Sequence, residues 1–188
     1  MAKAIVLNGI GSVGKSSTAQ TLQKMAASPF LHVQGDAFLE MIAPQMWGHP
    51  DGIIFQQIDT PEGPEVQIAM GRGLERLMEG MRASVAALLE AGNDCIVDDV
   101  MLSPQDQQAY LDCIDPERIQ FVGLHAPLEV LKQRERVRGD RMLGLAQWQL
   151  GKVHSGIKYD FELDVSTLTP EAAARSIAER FEIPLTVG

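Results

Sequence analysis

The first segment able to do chemistry is rich in glycine and lies close to the start of the chain. Residues 9–16 read Gly-Ile-Gly-Ser-Val-Gly-Lys-Ser and match G-x-x-x-x-G-K-[ST] at every fixed position. Glycines let the backbone turn its N–H groups towards an anion, and a following helix N-terminus adds partial positive charge. Since an apolar run precedes the motif and a helical pattern follows it, we predict a loop that binds the phosphate chain of a nucleotide. A chance glycine-rich turn is the weaker interpretation.

The residues of this loop, called the P-loop below (residues 9–17), have separate predicted roles. Lys15 would reach the terminal phosphates and act in catalysis, and the Ser16 hydroxyl would bind Mg²⁺. No N-K-x-D tetrapeptide, which reads guanine in GTPases, occurs in the sequence, and the chain is short for a transporter-type ATPase. A small kinase is the class that remains. The P-loop residues predicted to bind the nucleotide are Gly9, Gly11, Ser12, Val13, Gly14, Lys15, Ser16 and Ser17.

Acidic residues follow two further predicted strands. Asp36 comes just after an apolar run at 30–33, and Asp98 and Asp99 end the run CIVDD. The carboxyl ends of parallel strands meet at one edge of a sheet, where ligands bind. Asp36 could therefore accept a proton from a substrate hydroxyl, although capping of a helix from Ala37 explains it equally well. We predict that Asp98 binds Mg²⁺, while Asp99 could share that role, contact the substrate or cap a turn.

Basic residues are concentrated in one short segment. Five of the sixteen lie between Lys132 and Arg141, and Arg134, Arg138 and Arg141 are spaced to share one face of a helix. Guanidinium groups suit the negative charge that builds on a phosphoryl group during transfer. We predict nucleotide contacts for Arg134 and Arg138 and catalytic roles for Arg138 and Arg141. The alternative is a solvated helix whose arginines pair with acidic neighbours.

Apolar runs alternate with helical patterns along the chain, which is typical of an α/β fold. We predict one kinase domain over residues 1–188, with a mostly parallel sheet and helices on both faces. Prolines and glycines interrupt this pattern in residues 47–64, where we predict a hairpin or lid. The predicted strands cover residues 3–7, 30–33, 94–98, 118–124 and 159–163, and the predicted helices cover 15–27, 37–42, 65–91, a stretch after 104, 128–141 and 170–181.

Composition excludes several classes of protein. The 188 residues include 25 acidic and 16 basic ones, and the resulting net charge of −9 disfavours a nucleic-acid backbone as a partner. No apolar run is long enough to span a bilayer, and the first residues do not resemble a signal peptide, so we predict a cytoplasmic protein. Cys95 and Cys113 form neither a disulfide framework nor a metal pattern, and the four histidines are scattered.

Several stretches, in order along nearly the whole chain, resemble the chloramphenicol phosphotransferase family. They are residues 5–17 (IVLNGIGSVGKSS), 35–44 (GDAFLEMIAP), 51–55 (DGIIF), 63–65 (GPE), 96–102 (IVDDVML), 137–146 (VRGDRMLGLA) and 154–164 (HSGIKYDFELD). The resemblance implies ATP and Mg²⁺ as ligands and a five-stranded parallel sheet like that of nucleotide and shikimate kinases. It also implies that Asp36 is the general base and that Arg138 and Arg141 contact the γ-phosphate.

One region departs from the family pattern. The segment QMWGHPD, residues 45–51, is not a close match, and in the family this region helps to enclose the acceptor. Met46, Phe55, Val100 and Met101 are candidates for apolar lining of the acceptor pocket, although a core role fits each equally well. The expected acceptor is chloramphenicol or a related antibiotic. A metabolite alcohol (a nucleoside, a sugar or a shikimate-like acid) and a non-catalytic nucleotide-binding module are the alternatives, and the sequence leaves a homo-oligomer open.

Overall fold

The computed structural model describes residues 1–61, 63–139 and 142–186, and for Arg138 the backbone alone. Strands and helices alternate along most of the chain, as the sequence predicts. They are β1 (Ala4–Asn8), α1 (Lys15–Met25), β2 (Phe30–Gln34), α2 (Gly35–Leu39), β3 (Ile53–Thr60), β4 (Gly63–Met70), α3 (Arg72–Glu90), β5 (Asp94–Asp99), α4 (Pro104–Leu111), β6 (Ile119–His125), α5 (Leu128–Arg138), α6 (Leu145–Gln149), β7 (Phe161–Asp164) and α7 (Pro170–Arg180).

Five of these strands form one parallel sheet, in the order β2-β5-β1-β6-β7. Every residue of β1 is buried, as expected of a central strand covered on both faces. Asn8 of β1 pairs with Asp99 of β5, and Gln34 of β2 pairs with Asp98, so three strand ends lie side by side. The predicted five-stranded parallel sheet is confirmed, and the P-loop leaves the middle of its carboxyl edge.

Helices cover both faces of this sheet. On one face, Leu22 of α1 and Ile177 of α7 belong to a buried cluster that includes Leu7 of β1. On the other face, Met81 of α3 and Tyr110 of α4 belong to a second buried cluster. None of the helices in the described part of the chain is long and apolar enough to cross a membrane.

The predicted helix over residues 65–91 is wrong in its first turns. Residues 63–70 form β4, which pairs antiparallel with β3 as a separate hairpin, and α3 begins only at Arg72. Val66 and Ile68 alternate with exposed residues, which is the spacing of a strand rather than a helix. Gly71 lies between the two elements. Only glycine fits there, because a Cβ would lie 2.0 Å from the carbonyl oxygen of Pro50.

Two other helix boundaries change the predicted geometry of the site. Gly139 ends α5 in a left-handed conformation with φ of 70°, so the helix that carries Arg134 ends at Arg138, and the prediction for Arg141 falls outside the described residues. At the start of α2, the N-cap residue is Gln34 rather than Asp36, since the helix begins at Gly35. Asp36 therefore lies within the first helical turn, and capping does not account for it.

Candidate active site

The P-loop folds from the end of β1 into the first turn of α1. Ser12 and Gly14 both have left-handed backbone conformations, with φ of 63° and 109°. Glycine adopts such a conformation without steric cost, which explains why a glycine, Gly14, stands immediately before the helix. The Lys15 side chain is buried, and its Nζ donates to the carbonyl oxygen of Gly9 at 2.8 Å. The loop is thus wound around the lysine ammonium group.

A cavity of about 500 Å³ lies between the P-loop and the β3–β4 hairpin. Gly9 does not border it, because that residue packs against β6, where a Cβ would lie 2.7 Å from the carbonyl oxygen of Leu124. The predictions for Arg141 and for the side chain of Arg138 fall outside the described part of the chain. The structure brings the remaining predicted site residues together around the cavity: Gly11, Ser12, Val13, Gly14, Lys15, Ser16, Ser17, Asp36, Asp98 and Arg134.

Asp98 is the carboxylate placed beside the start of α1. Burial by itself would raise its pKa, but the neighbouring His32 and Ser16 side chains and the charge of Lys15 outweigh it and hold the pKa of Asp98 below its usual value. The Ser16 hydroxyl and an ionised carboxylate are the oxygen ligands that Mg²⁺ prefers, so these residues fit that ion. The described residues hold no group of three or more His, Cys, Asp or Glu side chains placed to bind a metal ion.

Asp36 borders the same cavity from the first turn of α2. The preceding Gly35 packs directly on the end of β5, where a Cβ would lie 3.2 Å from the carbonyl oxygen of Asp98. This close approach holds the start of α2 against the sheet edge. Asp36 and the P-loop are therefore presented to one cavity by the ends of β2 and β1, which lie on either side of β5 in the sheet.

A buried charged cluster, absent from the sequence predictions except for Asp99, forms one wall of the cavity. The Asp99 carboxylate accepts hydrogen bonds from the Tyr110 hydroxyl at 2.9 Å and the Val100 amide at 2.7 Å. Arg82 lies 3.8 Å from Asp99 and donates to Asp106 at 2.8 Å. Apolar residues fill the rest of the buried face of α3 on which Arg82 lies. An arginine within such an apolar stripe is the sequence signal that could have indicated a buried charge here.

Arg134 ties the P-loop to the segment after β7. Its guanidinium donates to the carbonyl oxygen of Val13 at 3.0 Å and to those of Val165 and Ser166 at 3.0 and 3.1 Å. These contacts fix the relative positions of two segments that border the cavity. Arg134 therefore borders the cavity and braces the P-loop, and its contact with a nucleotide stays a prediction.

A second residue that sequence reasoning missed is Gln149, on the short helix α6. Its Oε1 accepts a hydrogen bond from the backbone amide of Gly11 at 2.6 Å, and its side chain borders the cavity. The helix itself is held by the buried carboxylate of Glu135, which accepts from the amides of Gly144 at 3.0 Å and Ala146 at 2.9 Å. No motif marks Gln149, because the contact joins residues 138 positions apart.

The cavity wall away from the P-loop is largely apolar. Of the four residues predicted as apolar lining, Phe55 and Val100 border the cavity, while Met101 is fully buried in the core and Met46 lies elsewhere. Trp47 stacks on Phe55 with ring centroids 6.0 Å apart, which supports the hairpin from outside. The other apolar residues of this wall are Leu39, Ile53, Ile68, Met70, Leu74 and Met78.

Solved structures with this architecture identify the fold as that of the P-loop kinases. A sugar kinase of Janibacter sp. HTCC2649 is 18% identical with a TM-score of 0.68, covering 97% of this chain and 96% of its own. The tunicamycin resistance protein of Deinococcus radiodurans is 19% identical with a TM-score of 0.67 over the whole of both chains. The APS kinase of Mycobacterium tuberculosis, solved with AMPPNP and APS, is 11% identical with a TM-score of 0.65, covering 96% and 98%.

The sequence narrows this class to one family. A model of the chloramphenicol phosphotransferase-like protein family matches residues 2–182, and the chain belongs to that family. A protein of two Mycobacterium tuberculosis strains, provisionally named an O-phosphotransferase, is 29% identical over 185 residues, which cover 96% of this chain and 82% of the relative. The chain is therefore a nucleotide-binding phosphotransferase that acts on a hydroxyl acceptor.

Proposed function

We propose that this protein transfers the γ-phosphoryl group of ATP to a hydroxyl group of chloramphenicol or a related antibiotic. The observation that carries the proposal is one cavity bordered by the P-loop at one side and by Asp36 and an apolar wall at another. Such a cavity offers a phosphate site, a proton acceptor and a surface for an apolar acceptor molecule. The family resemblance supports the same acceptor class.

In the proposed reaction, Asp36 accepts the proton of the acceptor hydroxyl as its oxygen attacks the γ-phosphorus. The new P–O bond forms while the bond from that phosphorus to the bridging oxygen of the β-phosphate breaks, and ADP leaves. The proton stays on Asp36 until it passes to solvent. Lys15 and the P-loop amides hold the phosphates, and Arg134 contacts the nucleotide side of the cavity.

Charge on the transferred group needs further neutralisation. We assign this to Arg138 and Arg141, because the guanidinium plane suits the equatorial phosphoryl oxygens. Ser16 and Asp98 would hold Mg²⁺, which would neutralise charge on the β- and γ-phosphates when bound. The lowered pKa of Asp98 agrees with this assignment, since Mg²⁺ binds the ionised form of a carboxylate.

The substitution Asp36→Asn tests the general base. The variant should bind ATP as the wild type does but lose phosphoryl transfer, with kcat lower by roughly 10²–10⁴-fold. Glu40→Gln is the matched control, because Glu40 is an exposed carboxylate at the end of the same helix and does not border the cavity. Full transfer activity in Asp36→Asn would remove Asp36 from the mechanism.

The acceptor is tested separately, by mass spectrometry of chloramphenicol after incubation with the enzyme, ATP and Mg²⁺. A phosphorylated product supports the proposal. ADP formation with nucleosides, sugars or shikimate-like acids, but not with chloramphenicol, would identify a metabolite kinase instead. If no acceptor in a broad panel stimulates ADP formation, a nucleotide-binding regulatory module would be favoured instead.

A further inference from the structure

We infer that Gln149 is a catalytic residue whose side-chain NH₂ group donates a hydrogen bond to the γ-phosphate of the bound nucleotide. This inference rests on the proposed function only as far as nucleotide binding at the P-loop. Gln149 is 5% exposed, yet its side chain borders the cavity. A buried carboxamide beside a ligand site is costly unless its polar atoms are satisfied, so both of its ends call for partners.

The orientation of this carboxamide is fixed by chemistry. The backbone amide of Gly11 is a donor and lies 2.6 Å from Oε1, so the oxygen must face the P-loop and the NH₂ group must face away from that amide. In the described ranges, Nε2 of Gln149 has no hydrogen-bond partner. The atom is not fully occluded by the protein, so a ligand can reach it. The NH₂ group is therefore a donor available to a ligand in the cavity.

The point at which Gln149 contacts the P-loop indicates which phosphate group its side chain would bind. The Lys15 ammonium donates to the carbonyl oxygen of Gly9 at 2.8 Å and lies 3.5 Å from that of Ile10, at the same end of the loop as Gly11. In this motif the lysine reaches the β- and γ-phosphates. The carboxamide held by Gly11 therefore lies at the terminal end of the phosphate chain, next to the transferred group.

The donor is also held rigidly before any ligand binds. The two oxygens of the buried Glu135 carboxylate accept hydrogen bonds from the amides of Gly144, just before α6, and of Ala146 within it. The Val66 amide of the hairpin donates to the carbonyl oxygen of Gly144 at 3.3 Å. A Cβ on Gly11 would lie 3.2 Å from Oε1 of Gln149, so only glycine leaves the carboxamide undisturbed. Donors fixed in advance stabilise developing charge without a reorganisation cost.

Two variants separate a catalytic donor from a brace for the P-loop. Gln149→Met removes both the acceptor for Gly11 and the donor, whereas Gln149→Glu restores the acceptor but not the donor. Binding of ADP and of AMPPNP by calorimetry, and acceptor-independent ATP hydrolysis, are the measurements. We expect both variants to bind ADP within about threefold of the wild type, to lose roughly tenfold in AMPPNP affinity, and to hydrolyse ATP about 10²-fold more slowly.

The matched control is Gln147→Glu, on the same helix but away from the cavity, which should change none of these values by more than about threefold. Recovery of wild-type AMPPNP binding and hydrolysis in Gln149→Glu would overturn the inference, because an acceptor for Gly11 would then be all that is needed. An equal loss of ADP and AMPPNP affinity in Gln149→Met would overturn it too. All readouts use nucleotide alone, so failure to phosphorylate chloramphenicol does not affect them.

Discussion

Asp98 and Asp99 are consecutive residues at the end of β5, yet the structure moves their pKa values in opposite directions. Asp98 faces the P-loop, where His32, Ser16 and Lys15 lower its pKa against the effect of burial. Asp99 is more deeply buried, and this burial raises its pKa despite its contacts with Arg82 and Tyr110. Side chains alternate along a strand, so adjacent carboxylates reach different environments. Asp98 is turned towards the P-loop, whereas Asp99 is held by the buried cluster of Arg82 and Tyr110.

The hydrogen bond from Tyr110 to Asp99 gives the first prediction. Tyr110→Phe keeps the ring packed against Phe121 but removes a donor to a buried carboxylate, which should cost about 1–3 kcal/mol of unfolding free energy. The bond favours the ionised carboxylate, so the loss should be greatest above the raised pKa of Asp99 and should shrink as the pH falls below it. Urea unfolding of both proteins at pH values above and below the pKa of Asp99 measures the effect. An equal loss of unfolding free energy at every pH would contradict the prediction.

Phe55 on the hairpin gives a prediction about the acceptor side. Phe55→Ala should raise the KM for the proposed acceptor, chloramphenicol, by about tenfold or more, because an aromatic ring that borders the cavity is removed and its stacking on Trp47 is lost. The KM for ATP should stay within about twofold, since the P-loop is untouched. Gln56→Ala, at the exposed neighbouring position of β3, is the control. A change confined to the KM for ATP would show that the hairpin does not bind the acceptor.

His154 gives a prediction about pH and stability. Burial, with smaller contributions from His125 and Lys15, lowers its pKa from 6.5 to about 4, and its Nδ1 is 2.8 Å from the Tyr159 hydroxyl. Between these pH values the unfolded chain binds a proton that the folded protein does not, so stability falls as the pH falls from about 6.5 towards 4. His154→Gln should flatten the unfolding free energy in this window relative to the wild type.

The control for this measurement is His49→Gln, in an exposed segment of the chain. It should leave the pH dependence of the unfolding free energy unchanged. Identical curves for His154→Gln and the wild type would mean that His154 titrates normally in the folded protein.

Local pattern was enough for the sheet and the P-loop. Apolar β-branched runs and the glycine-rich motif depend on neighbours within a few residues, so β1, the P-loop and a parallel sheet follow from the sequence. The start of α3 was missed because the apolar residues of 63–70 fit a helix and a strand almost equally well over so short a run. The predicted α5 is too long because the spacing of basic residues continues beyond Gly139, although this glycine ends the helix.

The sequence by itself therefore determined the fold class, the phosphate-binding loop and the residues at the strand ends. Only the tertiary structure decided which side chains share the cavity, because such contacts join residues far apart in the chain. Arg82 meets Asp99 and Asp106, and Gln149 meets Gly11, through packing of α3 and α6 that no local motif records. Burial, and hence the opposite pKa shifts of two adjacent aspartates, is likewise a property of the folded chain.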